Sequence, residues 1–310
     1  MYLAFDMGGS AVKYAALDRS GNILYKNKFP SPKDSLDDLI HQMFAIVEEL
    51  DGKEGLKCRG ISMCCPGVVD SYQGIVYWGG NLPYLHQANL KKIFMERFNL
   101  PVSVENDGKA GALAELWRGA IHDVRDAVVL VLGSAIGGGI IINNQLHRGA
   151  HYSAGEVSYM VGDPTDTPDV YLRQGFDASA PKMIRSIARL NGLAEDTDGQ
   201  IVFDYIKPEN KESWQVFTTY CRKIARMIVS LQYIIDPEKF VICGGISAQV
   251  LVRDQIYNEI KQMYEANKEY SMLPVIVQSS LNNDANLYGT LYHFIEEHLE
   301  DDYRAILDQK

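Results

Sequence analysis

The chain has 310 residues, 46% of them hydrophobic and 23% charged, with a net charge of −10. That length exceeds what one core usually organises, so two domains are expected. The acidic balance argues against nucleic acid as a partner, and no apolar run reaches the length of a membrane span.

In chain order, YLAFDMGG is a strand that runs into glycines, with no basic segment and apolar stretch of a secretion signal before it. A cytoplasmic protein is therefore expected. AVKYAALD and NILYKNKF follow as strands, joined by turn residues. SLDDLIHQMFAIVEEL places Leu36, Leu39, Ile40, Met43, Phe44, Val47 and Leu50 at a helical period. CRGISMCCPG reads as a buried strand stopped by Pro66-Gly67, LKKIFMERF as a short helix, PVSVE as a strand and AGALAELWRGA as a helix of small residues.

The opening pattern then recurs. AVVLVLGSAIGGGIIINNQLHRG is strand, glycine turn, strand, Asn-Asn turn, strand, the order of residues 2–29. One supersecondary unit used once per domain accounts for it. Helices dominate the remainder, from PKMIRSIARLNG to the long WQVFTTYCRKIARMIVSLQYIID. The strands KFVICGG and PVIVQ flank the helix QVLVRDQIYNEIKQMYEAN, and a last helix runs from about Asn283 to Glu300. Alternating strands and helices indicate an α/β fold. The five cysteines are odd in number and lack C-x-x-C spacing, and all but Cys58 lie in apolar runs, so core thiols are expected.

Several short stretches can carry chemistry. DMGGS, residues 6–10, is a glycine turn after a buried strand, where backbone N–H groups can approach a phosphate and Ser10 adds a donor. A plain hairpin turn explains it as well. Asp6 has no evident neutralising partner in sequence, which a magnesium ion would supply. GSAIGGG, residues 133–139, puts three consecutive glycines into an aliphatic run, so something must approach the backbone closely there. Two such turns, one per domain, suit a polyphosphate. CGGIS, residues 243–247, reads as a third strand-to-glycine turn that opens a helix, whose N-terminus would favour a phosphate or polar group.

VENDGKAG, residues 104–111, ends a buried strand in an acid, an amide and a second acid. A carboxylate there can take a proton from an attacking hydroxyl, while Asn106 or Asp107 also suits a helix N-cap. GGNLPY, residues 79–84, offers Asn81 between glycines and aromatics, a setting that suits a sugar, though a simple loop has the same composition. AGEVSYM places Glu156 in a loop.

Taken in order, DMGGS with Lys13, CPGVVD with the following GGNLP, ENDGKAGALAE, GSAIGGGII, AGEVS and CGGIS resemble the ROK family of sugar kinases. The resemblance implies the duplicated actin/Hsp70/hexokinase-like α/β ATPase fold, with two domains around a central cleft. Residues 1–118, joined by a C-terminal helix over 284–310, would form one domain. Residues 119–283, with the nucleotide site, would form the other. It also implies transfer of the ATP γ-phosphoryl group to a sugar hydroxyl, usually O6, with Mg²⁺ as cofactor. By the same resemblance Asp107 is the catalytic base, and Asn81, Asn106, Glu156, Tyr159 and Gly67 line the sugar. Asp6, Gly8, Gly9, Ser10 and Lys13, with Gly133, Ser134, Gly137 and Gly138, hold the phosphates. Gly244 and Gly245 contact adenosine, and Asp6 reaches magnesium through water.

The chain departs from the family in two places. Tyr159 stands where many members have a histidine, and no cysteine lies between Cys65 and Cys221, so no zinc is expected. Gly175 stands roughly where a further family glutamate is found, and a shorter polar segment, GDPTDTPDV, replaces the zinc loop. These changes fall where the family reads the C1/C2 side of the sugar. An open C1 side favours a β-glucoside such as cellobiose or gentiobiose, with Tyr159 stacking on a second ring. An N-acetylhexosamine or free glucose is the alternative acceptor. A ROK repressor would carry a DNA-binding segment ahead of the fold and would not favour so acidic a chain. The expected partners are thus a sugar or glycoside and ATP, not nucleic acid or membrane. The sequence leaves a homodimer open.

Overall fold

Along the first strand, β1 (Tyr2–Met7), every residue is buried. A strand buried on both faces needs layers on both sides. In β1, Leu3, Phe5 and Met7 pack with Leu39, Met43 and Val47 of α1 (Leu36–Asp51), whereas Tyr2 and Ala4 pack with Leu287, Leu291 and Phe294 of α8 (Ala285–His298). The period of two along the strand sorts its side chains onto two helices. The computed structural model describes residues 1–161, 177–281 and 284–299. These residues form two units.

The first unit comprises Met1–Asp123, Leu146–Ala154 and the C-terminal segment that carries α8. Its main sheet has the order β3-β2-β1-β4-β8, from β2 (Ala11–Leu17), β3 (Ile23–Pro30), β4 (Gly60–Cys65) and β8 (Val102–Asn106). β1, β2 and β3 pair antiparallel, while β4 runs parallel to both β1 and β8. A small second sheet, β5 (Val68–Asp70), β6 (Ile75–Trp78) and β7 (Ala88–Asn89), was not anticipated from the sequence. Its strands of two to four residues are too short to show an alternating pattern. Helix α2 (Leu90–Phe98) precedes β8 and α3 (Asp107–Arg118) follows it.

The second unit comprises Val124–Gln145 and Gly155–Asn282. Its sheet, of order β11-β10-β9-β12-β13, repeats the first in topology. The strands are β9 (Ala127–Leu132), β10 (Ile136–Ile142), β11 (Gln145–His147), β12 (Lys239–Cys243) and β13 (Ile276–Gln278). β9 and β10 are antiparallel, and β12 runs parallel to β9 and β13. The duplication read from two strand–glycine–strand patterns therefore extends to the order of five strands. Helices α4 (Ala180–Leu190), α5 (Gly199–Phe203), α6 (Lys211–Ile235) and α7 (Val250–Ala266) supply its remaining core.

One expectation needs correction. The turn at Cys243–Ser247 does not open a helix, because α7 begins only at Val250. Gly244 has φ +102°, and a Cβ there would collide with the backbone of Leu132. The glycine thus lets the chain pass against β9, and no helix N-terminus stands behind it. Cys58, the one cysteine outside an apolar run, is buried with the other four, its thiol donating to the Gly60 carbonyl at 3.5 Å. No helix among the described residues is long and apolar enough to cross a membrane.

The small residues of α3 have a steric reason. At Gly289 of α8, an added Cβ would fall inside the van der Waals shell of the Ala110 carbonyl on α3. The two helices cross with backbone nearly touching backbone. Gly289→Ala forces them apart, and overpacking of this kind costs about 3 kcal/mol. Thermal melting followed by circular dichroism should show a drop of roughly 5 °C or more. A variant melting with the parent would mean that the helices separate without penalty.

Candidate active site

The junction of β8 and α3 gathers the polar residues of VENDGKAG. Asn106 caps α3, its Oδ1 accepting the Lys109 N–H at 3.0 Å. Its Nδ2 donates to the Gly67 carbonyl at 2.8 Å and to Asp107 Oδ1 at 3.2 Å. Asp107 Oδ1 also accepts the Gly108 N–H at 2.8 Å. Asn106 is therefore buried and engaged at both ends of its amide, and it holds the Asp107 carboxylate in one orientation. Gly67 has φ +99°, and a side chain there would strike the Trp78 backbone, so only glycine lets its carbonyl meet Asn106.

Behind these residues lies a buried charge network that the sequence did not reveal. Glu105, fully buried, accepts the Asn106 N–H on Oε1 and the Arg148 Nε–H on Oε2, each at 2.8 Å. Arg148 also donates through its Nη2 to His293 Nδ1 and Glu296 Oε2, each at 3.2 Å. Burial disfavours the guanidinium charge, but Glu105 and Glu296 outweigh it and raise the Arg148 pKa. Burial likewise pushes the Glu296 carboxyl up, but the neighbouring His293 and the charge of Arg148 pull it down to about 2. A few residues on, Tyr152 (φ +58°) hydrogen-bonds Asp70, which also accepts the Tyr77 hydroxyl at 3.0 Å. The segment Leu146–Ala154 is thus tied at two points.

The first glycine turn lies between β1 and β2. Gly8 N–H donates to the Ala11 carbonyl at 3.1 Å, and the Ser31 hydroxyl donates to the Gly8 carbonyl at 2.5 Å. A Cβ on Gly9 would sit 2.9 Å from Asn81 Nδ2, so the amide of GGNLPY lies directly over this turn. Ser10 is exposed. The expectation that Asp6 lacks a neutralising partner is overturned. Lys13 faces it across the β1–β2 ladder, with Nζ 3.3 Å from Oδ2. Asn286 Nδ2 and the Cys64 thiol donate to Oδ1 at 3.1 and 3.5 Å. Sequence distance hid a partner that register supplies.

In the second unit, Gly133 and Ser134 form the turn between β9 and β10, where the Gly133 N–H donates to the Ala135 carbonyl at 3.0 Å. Gly137 and Gly138 lie within β10. What approaches Gly138 is the chain itself. A Cβ there would stand 2.9 Å from the Gly155 carbonyl oxygen and equally close to that of Val129. Gly155, at φ +83°, returns the contact at 3.1 Å from the Gly138 carbonyl oxygen. Three residues later the Ile136 N–H donates to Ser158 Oγ at 3.0 Å, and the Ser158 hydroxyl donates to the Ile136 carbonyl at 2.7 Å. Glu156 is carried between these two anchors, just before a short 3₁₀ turn, Val157–Tyr159. Tyr159 is 45% exposed. Beside Gly244, a Cβ on Gly245 would meet open space.

The structure thus brings Asp107, Asn106 and Gly67 together, and separately Asn81 with Gly9, and Asp6 with Lys13. It strings Glu156 and Tyr159 along a strap on β10. Gly175 and the segment 162–170 lie outside the described residues. Arg148, His293, Glu296 and Asn286 were missed, since no local motif marks residues that meet only through the fold. Among the described residues, no group of three or more His, Cys, Asp or Glu side chains is placed to hold a metal ion.

The sequence profile of the ROK family matches residues 2–297. A β-glucoside kinase of Listeria monocytogenes is 28% identical over 300 residues, covering 95% of this chain and 97% of the relative. The crystal structure of a ROK family protein from Streptococcus pneumoniae in complex with sucrose superposes with a TM-score of 0.84 at 29% identity, over 96% of this chain and 99% of that one. A ROK family glucokinase from Streptomyces griseus, in complex with glucose and AMPPNP, shares the fold, with a TM-score of 0.78 at 22% identity over 94% and 97% of the two chains. The duplicated sheets are those of the actin/hexokinase-like ATPase fold.

The depressed Glu296 carboxyl makes stability depend on acid pH. Folding favours its ionised form, so its contribution is complete above the ordinary value of 4.5 and is lost as pH falls through about 2. At neutral pH the contribution is about 3 kcal/mol. Urea denaturation should find Glu296→Gln less stable than the parent at pH 7, with the gap closing between pH 4.5 and 2. A gap of constant size over that window would contradict the network as drawn.

Proposed function

The chain belongs to the ROK family and is an ATP-dependent carbohydrate kinase; we propose that it phosphorylates the 6-hydroxyl of a β-glucoside, with Asp107 as general base. The observation that carries this reading is the fixed carboxylate at the head of α3. Two donors, Gly108 N–H and Asn106 Nδ2, hold Asp107 Oδ1, so its orientation is set before an acceptor arrives. As the acceptor oxygen attacks the γ-phosphorus, its proton passes to Asp107. The bond from phosphorus to the bridging oxygen breaks, and ADP leaves.

The other residues position and screen charge. Asn81, over Gly9, and Glu156, fixed by Gly155 and Ser158, read sugar hydroxyls. Asn106 acts mainly by orienting Asp107. The Gly8 and Gly133 N–H groups close their turns, and the rest of each turn, with Ser10 and Ser134, offers N–H groups and hydroxyls to phosphate oxygens, Lys13 adding charge. Gly137 and Gly138 support the second turn from within β10. Gly244 packs on Leu132 and so sets the turn, and Gly245 beside it leaves backbone open to the adenosine. Bound to ATP, magnesium neutralises charge on the phosphates. Asp6 suits a contact with it through water, since both of its oxygens already accept donors from protein groups.

The acceptor is argued from Tyr159. It takes the place of a family histidine, is partly exposed, and directly follows the anchored Ser158, where a second sugar ring could stack on it. The β-glucoside kinase relative and the sucrose-bound neighbour support an acceptor larger than one ring.

Asp107→Asn should keep sugar binding by calorimetry while turnover falls roughly 10²-fold or more. Turnover close to that of the parent would reduce Asp107 to a helix-start residue. The acceptor is tested by kcat/KM for cellobiose, gentiobiose, glucose and N-acetylmannosamine in a coupled ADP assay. A β-glucoside should lead. Glucose or N-acetylmannosamine ahead of every β-glucoside by about tenfold would refute the open C1 side and leave the kinase in place.

A further inference from the structure

We propose that Arg148 is a positioning residue for phosphoryl transfer, acting through Glu105 on the Asp107 base; the proposal rests on the reading of Asp107 given above. Glu105 immediately precedes the Asn106–Asp107 pair and has no access to water. A carboxylate so placed needs a charged partner and donors on both oxygens. Arg148 is that cation, held by two carboxylates and His293 Nδ1. Its Nε–H fixes Glu105 Oε2, which turns Oε1 toward the Asn106 N–H. Asn106 in turn holds Asp107 Oδ1 through Nδ2 and caps α3 through Oδ1. A chain of charged and capping hydrogen bonds therefore runs from Arg148 to the carboxylate that takes the acceptor proton. Arg148 touches neither reacting atom. It decides whether the base points correctly.

Without Arg148, Glu105 would lose the donor that fixes Oε2 and rotate away, and the N–H of Asn106 would lose its acceptor. The base would then be displaced while the sugar and nucleotide contacts stay in place. Misplacement of a catalytic group by about 1 Å lowers turnover on the order of 10²-fold. The loss should therefore fall on kcat and spare KM for ATP and sugar.

The test is steady-state kinetics of the full chain with Mg-ATP and either cellobiose or glucose, on Arg148→Met, Arg148→Lys, Arg148→Met/Glu105→Gln and Asp107→Asn. In Arg148→Met, kcat should fall roughly 30- to 100-fold, with both KM values within about twofold of the parent. Adding Glu105→Gln removes the uncompensated charge and keeps an oxygen for the Asn106 N–H, so kcat should recover about fivefold or more. Should Arg148→Met not fold, Arg148→Lys carries the test. It keeps the charge without the fork, and its kcat should fall by about fivefold with KM held. A kcat within about twofold of the parent, a loss confined to KM, or a double variant no better than Arg148→Met overturns the proposal. If Asp107→Asn is inactive while the Arg148 variants are unimpaired, the proposal fails alone. If Asp107→Asn is fully active, the base assignment fails and takes the proposal with it.

Discussion

The contact between Gly289 of α8 and the Ala110 carbonyl of α3 is the constraint on which the first unit is built. A C-terminal helix could cover the sheet at ordinary helix spacing, about 8–10 Å between axes. Here glycine on one side and glycine and alanine on the other bring backbones together. Close approach holds α3, and hence its first residue Asp107, against a helix that also packs on β1 through Leu287, Leu291 and Phe294. The same helix carries Asn286 to Asp6 and Glu296 to Arg148. One helix thus reaches Asp6 beside the first glycine turn and the charge network behind Asp107, which explains why the last described helix belongs to the first unit.

The buried charges there are weak evidence for stability, because desolvating Glu105 and Arg148 consumes much of their attraction. They are stronger evidence for fixed geometry. Each oxygen of Glu105 has a distinct donor, and the guanidinium is shared among three acceptors from two segments. An apolar replacement could fill the space but could not give the Asn106 N–H an acceptor. The second unit fixes Glu156 by a different device, backbone contact at Gly138–Gly155 and a paired hydrogen bond at Ser158–Ile136. Phosphoryl transfer asks mainly for placement and charge, and both devices supply placement.

Much of the fold was legible because its signals are local. The α1 stripe, the largely apolar β1 and β4 and the two strand–glycine–strand patterns follow from period and turn chemistry, and the sheets repeat in the order those patterns imply. The small sheet β5–β7 was hidden by its short strands, and the start of α7 by a turn whose glycine serves packing against Leu132. In the site, the N-cap at Asn106 could be read, since capping is decided within four residues. Lys13 beside Asp6 required register, and Arg148 beside Glu105 required tertiary structure, neither of which local pattern encodes.

The glycines show how one residue type serves opposed purposes, and why sequence reading confounds them. Three in a row from Gly137 suggested a ligand against the backbone, yet at Gly138 the approaching group is the carbonyl of Gly155. Gly244 likewise faces Leu132, while Gly245 beside it faces nothing. A glycine pressed by its own chain has no room for a phosphate or a base at the position of its missing Cβ. Only an unfilled one has. Among the glycines proposed to face the nucleotide, Gly245, and Gly133 with its nearest neighbour 3.5 Å away, leave that space open. Gly138 and Gly244 instead hold the turns in the shape that leaves those neighbours exposed.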